Sequence, residues 1–341
     1  MSLPAQLLHR LAVARAAETT APRFVSGAAL AQEFQLTRSA IWKAIGQLRG
    51  LGTEIDAITH RGYRLAHPSS PLTTDGVLAA LLPATRARLR EGQCMAQVDS
   101  TNSVLLKRGM PAPGQFDFLT AEFQSAGRGR RGRSWLAAPG GAVCMSWSWC
   151  FEGLAAQLGA LSLATGVAVL RALRTLGIEG VQIKWPNDLV TAGGKLGGIL
   201  IEMRSEAAGP VQVVAGLGLN LALGRQARAQ IEQLGNAATD LAELAGASLP
   251  AREALAAALL DQGVAALAEF AHAGLAPFLA EYRAADALCD RVVQVQGGNL
   301  ASGDMASSGM ARGIDDDGAL KIEQAGRIHR IIAGEVSVRS T

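Results

Sequence analysis

The apolar period of this 341-residue chain switches between helical and alternating in three distinct stretches, and no single repeating architecture accommodates that. A chain of this length holds two or three domains, each with its own core. Residues 1–66 carry helical patterns and then two short β runs. Residues 74–288 alternate helices with β-rich runs, and residues 289–341 carry short β runs. Between the first two stretches, residues 67–73 read as a linker, because His67-Pro68-Ser69-Ser70-Pro71 interrupts both periods.

In the first stretch, helical patterns cover 3–17, 26–34 and 38–49, with Ser26 and Thr37 as natural N-caps. Leu30 and Phe34 share a face of the second helix; Ile41, Ile45 and Leu48 share a face of the third. The β runs 54–58 and 62–65 follow, joined by Thr59-His60-Arg61. Three helices and a two-stranded wing make a winged helix-turn-helix, whose third helix enters the major groove and whose wing touches the DNA backbone. Arg38, Ser39, Trp42 and Lys43 on the helix, with His60, Arg61 and Arg64 on the wing, are the candidate DNA contacts. Charge agrees: residues 1–66 hold eight Lys or Arg against four Asp or Glu, a net of +4 where the whole chain is only +3. The same unit could instead serve only to pack against the rest of the chain or to mediate dimerisation.

The middle stretch offers strands at 96–99, 118–122, 143–150, 181–184, 198–203 and 211–219, and helices at 103–108, 154–176, 252–272 and 275–284. This is a mixed α/β domain around one sheet. The last stretch has β runs at 291–296, 309–314, 320–324, 328–333 and 335–339, with Asp315-Asp316-Asp317-Gly318 as a turn, and reads as a small SH3-like β-barrel. The fold class is therefore α+β multidomain. The uncharged run 153–170 approaches membrane length, but Gln157, Ser162 and Thr165 make it a buried helix, so no membrane partner is expected. The four cysteines are scattered without a C-x-x-C pair, which argues against zinc or a disulfide framework and suits a reducing cytoplasm.

Residues 122–135, Glu-Phe-Gln-Ser-Ala-Gly-Arg-Gly-Arg-Arg-Gly-Arg-Ser-Trp, alternate arginines with glycines. Glycine lets a ligand approach main-chain N–H groups, and arginine offers a planar fork of donors to carboxylate and phosphate. The spelling G-x-G-x-x-G is present, but a loop follows it and no acidic residue appears before Glu152, which rules out a dinucleotide fingerprint. Asp99-Ser100-Thr101-Asn102 places more polar groups at a helix start than capping needs. In Lys184-Trp185-Pro186-Asn187-Asp188 the proline forces an extended turn, and Asn187 and Asp188 offer oxygens of the kind Mg²⁺ takes. Gly193-Gly194-Lys195-Leu196-Gly197-Gly198 is not a P-loop, since Leu196 stands where Ser or Thr must follow the lysine, yet Lys195 can neutralise an anion. Gly216 and Gly218 allow close approach at a strand end, beside Asn220.

Taken in this order, the motifs resemble the biotin–protein ligases, specifically the bifunctional bacterial type that also represses the biotin operon. The resemblance runs over nearly the whole chain, from Thr37-Arg-Ser-Ala-Ile-Trp-Lys and His60-Arg-Gly-Tyr-Arg-Leu to Ala311-Arg-Gly-Ile-Asp and Gly334-Glu. It implies a biotin site made by Ser100, Thr101, Asn102, Gln124, Gly127, Arg128, Arg130, Trp135, Lys195, Gly198, Gly216 and Gly218. It implies ATP contacts from Arg130, Arg133, Lys184, Asn187, Asp188, Lys195 and Asn220, with Mg²⁺ at Asn187 and Asp188. Lys195, Arg130, Asn187 and Asp188 would be the catalytic set. Biotin and ATP would give biotinyl-5′-adenylate, and a lysine of a biotin carboxyl carrier protein would accept the biotin. The implied partners are that carrier, operator DNA and a second copy of the chain when adenylate is bound. The arginine loop is expected to be disordered until ligand arrives and then to shield the adenylate from water.

Two segments depart from the family pattern. Residues 225–246 lack the tryptophan that lies near the adenine in some relatives, and 297–309 form a longer Gly/Ser-rich hairpin. Two alternatives stand beside the bifunctional reading: a ligase whose winged helix has no regulatory role, and a biotin-responsive transcription factor without catalysis. Intact Lys195, Asn187, Asp188 and Arg130 argue against the second.

Overall fold

The computed structural model describes residues 3–16, 23–66, 71–152, 155–205, 209–233, 237–300 and 308–338. The N-terminal unit consists of α1 (Leu3–Ala16), α2 (Gly27–Glu33), α3 (Arg38–Gly50), β1 (Ile55–Ile58) and β2 (Gly62–Leu65). Ser26 Oγ accepts the Ala29 N–H at 3.0 Å and Thr37 Oγ1 accepts the Ala40 N–H at 3.2 Å, so α2 and α3 start at the expected caps. Each such cap is worth about 1 kcal/mol. Leu7, Leu11, Leu30, Ile41, Ile45 and Leu48 form a core of their own. On α3 this leaves Arg38, Ser39, Trp42 and Lys43 exposed on the other face. His60 and Arg61 are exposed at the wing. Arg64 is half-buried, 3.0 Å from Asp56 and stacked on Phe24, so its charge is engaged within the unit.

The central unit runs through α4 (Thr74–Ala80), α5 (Pro83–Arg86), β3 (Leu89–Val98), α6 (Thr101–Arg108), β4 (Phe116–Gln124), β5 (Ala142–Phe151) and α7 (Leu161–Thr175). It continues with β6 (Gln182–Lys184), β7 (Asp188–Thr191), β8 (Gly194–Ser205), β9 (Val211–Asn220), α8 (Arg225–Gln233), α9 (Leu241–Ala245), α10 (Arg252–Ala273) and α11 (Leu279–Ala284). Seven strands form one mixed sheet in the order β3-β4-β5-β9-β8-β7-β6, with β3 and β4 parallel. One face carries Phe116, Phe118, Trp147 and Trp149 and is packed with α7 and α10 in the main core. On the opposite face α6 buries Leu105 against Leu119, Ala121 and Val214. The functional face is this second one.

Several boundaries differ from the sequence expectations. The helix expected over 154–176 is α7, preceded by a 3-10 turn at Ala155–Ala160; Leu154 lies outside the described residues. β3 begins seven residues earlier than expected, because Arg90, Glu91 and Gln93 on this edge strand hide the apolar alternation. Lys195 sits inside β8 rather than in a loop before it. The short helices α5 and α9 have too few turns to show a period, and α4 and α8 are not among the helices expected.

In the last segment β10 (Val292–Leu300), β11 (Ser308–Ile314), β12 (Leu320–Gln324) and β13 (Arg327–Val338) are antiparallel and close on one another in that order. The runs expected at 328–333 and 335–339 are one strand, β13, with Arg339 outside the described residues. Of the Gly/Ser-rich segment, 301–307 also lies outside them, as does 67–70 of the linker. Val293, Ile314, Leu320 and Ile331 join the main core, so this unit shares its interior with the central one. Trp185 donates its indole N–H to the Gly318 carbonyl at 3.1 Å, tying the two together at the turn between β6 and β7. Leu158–Thr175 and Arg252–Ala273 are apolar and long enough to cross a membrane, yet both are core helices here.

Arg252 and Glu122 form a buried ion pair at 2.8 Å. Arg252 also donates to the Ala142 carbonyl, and Glu122 accepts the Leu72 N–H at 2.8 Å. One pair thus joins α10, β4, the start of β5 and the chain leaving the N-terminal unit. Removing one partner strands a buried charge, which costs about 3–5 kcal/mol. Arg252→Ala should lower stability by that order in denaturant titrations, whereas the double change Arg252→Met, Glu122→Leu should recover much of it.

Candidate active site

Strand register decides what the functional face presents. Ala121, Cys144, Gly218 and Gly198 lie side by side in one row; Leu119, Ser146, Gly216 and Leu200 form the next. A Cβ on Gly216 would stand 2.2 Å from Asn102 Oδ1, and one on Gly218 would stand 2.3 Å from the Trp135 ring. The two glycines therefore clear room for those side chains as well as for a ligand. Around them opens a cavity of about 640 Å³. Its lining takes in Ser100, Thr101, Asn102, Gln124, Arg128, Arg130, Arg133, Trp135, Lys184, Asn187, Asp188, Lys195, Gly198, Gly216, Gly218 and Asn220. Five motifs separated in the chain thus meet in one place. Gly127 lies outside the lining and shapes the loop instead: its carbonyl accepts the Trp135 N–H at 2.9 Å.

One part of the lining is neutral and polar. Ser100 occupies the N-cap position of α6, yet its side chain does not cap the helix, which leaves the hydroxyl for other work. Gln124 Oε1 accepts from the Thr101 N–H at 2.8 Å and from its hydroxyl at 3.2 Å. Ser146 Oγ lies 2.6 Å from both Thr101 Oγ1 and Asn102 Oδ1, and Asn102 Nδ2 donates to Glu202 at 2.8 Å. Thr101, Asn102 and Ser146 are all buried. This is a rigid array of short donors and acceptors, suited to a neutral, planar hydrogen-bonding group.

Another part is cationic. Lys195 Nζ is 2.7 Å from Asp188 Oδ1 and 6.0 Å from the Trp135 ring centre. Arg130 donates to Asn187 Oδ1 at 3.2 Å, while Asn187 Nδ2 donates to the Ile199 carbonyl at 2.8 Å. Arg128 pairs with Glu202 at 2.8 Å. The arginine loop is a tight turn in which Gly129 N–H meets the Arg133 carbonyl at 2.7 Å, and Arg131 adopts a left-handed φ of 55°. Burial pushes the Cys144 thiol up to about 11, so the sulfur beside Gly218 is a neutral thiol rather than a nucleophile. Among the described residues, no histidine lines the cavity. Its chemistry rests on position and positive charge.

Ser146 and Glu202, which hold Thr101, Asn102 and Arg128 of the lining, are residues that sequence reading missed. Both lie inside strands, and only the alternation of β5 and β8 places them on the same face as Gly216.

The comparisons with known proteins agree with this geometry. Family models match residues 94–220 (biotin/lipoate A/B protein ligase family), 18–64 (HTH domain) and 299–339 (biotin protein ligase C terminal domain). The bifunctional ligase/repressor BirA of Salmonella typhimurium is 38% identical over 319 residues, covering 93% of this chain and 94% of that one. BirA of Escherichia coli matches with the same identity and coverage. The chain belongs to the biotin protein ligase family. Among solved structures, the Aquifex aeolicus biotin protein ligase in complex with biotin and ATP is similar at a TM-score of 0.58 and 25% identity, over 74% of this chain and 100% of that one. The present ligase carries a helix-turn-helix domain ahead of the catalytic one.

Gly218→Ala should displace Trp135 from the cavity wall, an overpacking cost of about 1–3 kcal/mol that would raise the Kd for biotin by roughly one to two orders of magnitude. Isothermal titration reads this directly, with an unchanged circular dichroism spectrum as the control. Trp185→Phe leaves the Gly318 carbonyl without its partner, at about 1–3 kcal/mol. We expect adenylation to slow more than the Kd for biotin changes, because the altered turn carries Asn187 and Asp188.

Proposed function

We propose that this cavity binds biotin and ATP together and joins them. The observation that carries the reading is that one cavity is lined both by the neutral array of Thr101, Asn102 and Gln124 and by the cations Lys195, Arg130, Arg133 and Lys184. The neutral array suits the ureido ring, whose carbonyl and two N–H groups need acceptors and donors in fixed places. Lys195 meets the biotin carboxylate, and Arg130, Arg133 and Lys184 neutralise the phosphates. The carboxylate oxygen attacks the α-phosphorus, the bond to the β-phosphate oxygen breaks, and pyrophosphate leaves. Biotinyl-5′-adenylate remains. The neutral amine of a carrier-protein lysine then attacks its acyl carbon, an amide forms, AMP leaves and a proton passes to solvent.

Asp188 with phosphate oxygens is a donor set that Mg²⁺ accepts. Such an ion would neutralise phosphate charge. Asn187 has its amide committed to Ile199 and Arg130, which makes it a positioning residue for its neighbour. We take residues 1–66, 74–288 and 289–341 as three domains, the last an SH3-like barrel, and the cytoplasm as the site of action.

A regulatory role for the winged helix is supported by α8. Its Arg225 N–H donates to Glu54 Oε1 at 2.8 Å, and Ala227 lies against Gly52, both residues of the N-terminal unit. Ile231 of the same helix lines the cavity. A ligand that orders α8 therefore touches the DNA-binding unit through one helix. In this reading the adenylate promotes a dimer that grips operator DNA.

Lys195→Ala should slow adenylate formation by roughly 10²–10³-fold, since it deletes a preorganised charge at the reacting group. Pyrophosphate release reads this rate, and a variant with full activity would remove Lys195 from the site. For the regulatory part, binding to DNA upstream of the biotin-synthesis genes should tighten only with biotin and MgATP both present, scrambled DNA being the control. Equal weak binding to both DNAs would leave a ligase without repression.

A further inference from the structure

Of the five tryptophans, Trp147, Trp149 and Trp185 are buried and Trp135 lies against Gly218. Trp42 alone stands in solvent, with 69% of its surface exposed. It sits on α3 one turn after Arg38, and Ser39 and Lys43 form the neighbouring row on the same exposed face. The opposite face is sealed by Ile41, Ala44, Ile45 and Leu48. No acidic residue occurs anywhere in α3. The exposed face is thus an indole plate set among cations, and an acidic surface complements it.

The cations of this row can meet phosphates or the acceptor edge of guanine. The indole does neither job well: it has broad apolar faces and a single donor. Within the major groove, the apolar group that a base presents is the 5-methyl of thymine. We propose that Trp42 is a specificity-determining residue that packs on a thymine methyl in the operator half-site. Four residues of helix rise about 6 Å, so this thymine lies within about two base pairs of the base that Arg38 meets. The inference rests on the operator-binding reading above and adds the base chemistry that the recognition helix selects.

The test uses the full chain with biotin and MgATP. Duplexes enriched from a random pool by the unaltered protein should carry an invariant thymine in each half-site. Replacing that thymine by uracil removes one methyl and should weaken binding about fourfold. Trp42→Ala should lose roughly tenfold on the enriched site. It should bind the thymine and uracil duplexes equally and keep the same salt slope, because no charge is removed. Trp42→Phe should restore part of the thymine preference. Ligase turnover of each variant, expected unchanged, reports that the chain is folded. If Trp42→Ala enriches the same site with undiminished affinity, the inference falls while operator binding stands. Equal weakening on enriched and random duplexes would also sink it, since that marks a sequence-independent contact. Should the unaltered protein enrich no sequence, both readings fall.

Discussion

Gathering Arg128, Arg130, Arg133, Lys184 and Lys195 around one cavity sets like charges against each other, and the central unit is organised around that repulsion. Two unit charges about 8 Å apart repel by about 2 kcal/mol at an effective dielectric near 20. Two acids answer it from within strands: Asp188 pairs with Lys195, and Glu202 pairs with Arg128. The two acids require β7 to keep its register against β8, and β8 to keep its register against β9, because a slip of one residue would turn them to the other face. The aromatic core on the far side of the sheet, with α7 and α10 packed on it, holds that register.

What was legible in the sequence is what is local. The arginine loop, the turn of Lys184 to Asp188 and the polar start of α6 each declare themselves within a few residues. The caps at Ser26 and Thr37, with the period of α3, gave the winged helix almost to the residue. What stayed hidden depends on partners far away in the chain. Ser146 reaches Thr101 across 45 residues, Asn102 reaches Glu202 across 100, and Trp185 reaches Gly318 across 133. No spacing rule announces such pairs. The glycines of β9 show the same limit: their sequence suggested room for a ligand, whereas the room is shared with Asn102 and Trp135.

The N-terminal unit makes direct contacts with the central one. Glu54 accepts the first N–H of α8, Gln230 reaches the Gly50 carbonyl, and Glu122 holds the N–H of Leu72 near the end of the linker. Through α8, which contacts Glu54 at its start and lines the cavity with Ile231, the N-terminal unit and the cavity are joined by a single helix. Coupling between them needs no long relay through the sheet.

The bond from Trp185 to Gly318 also has a consequence for the order in which the protein is made. Synthesis runs from the N-terminus, and the turn that carries Asn187 and Asp188 leaves the ribosome long before its anchor exists. A nascent or truncated chain ending ahead of Gly318 holds the cations and the polar array without the clamp on that turn. Completion of the last strands therefore supplies the carbonyl that holds this turn through Trp185.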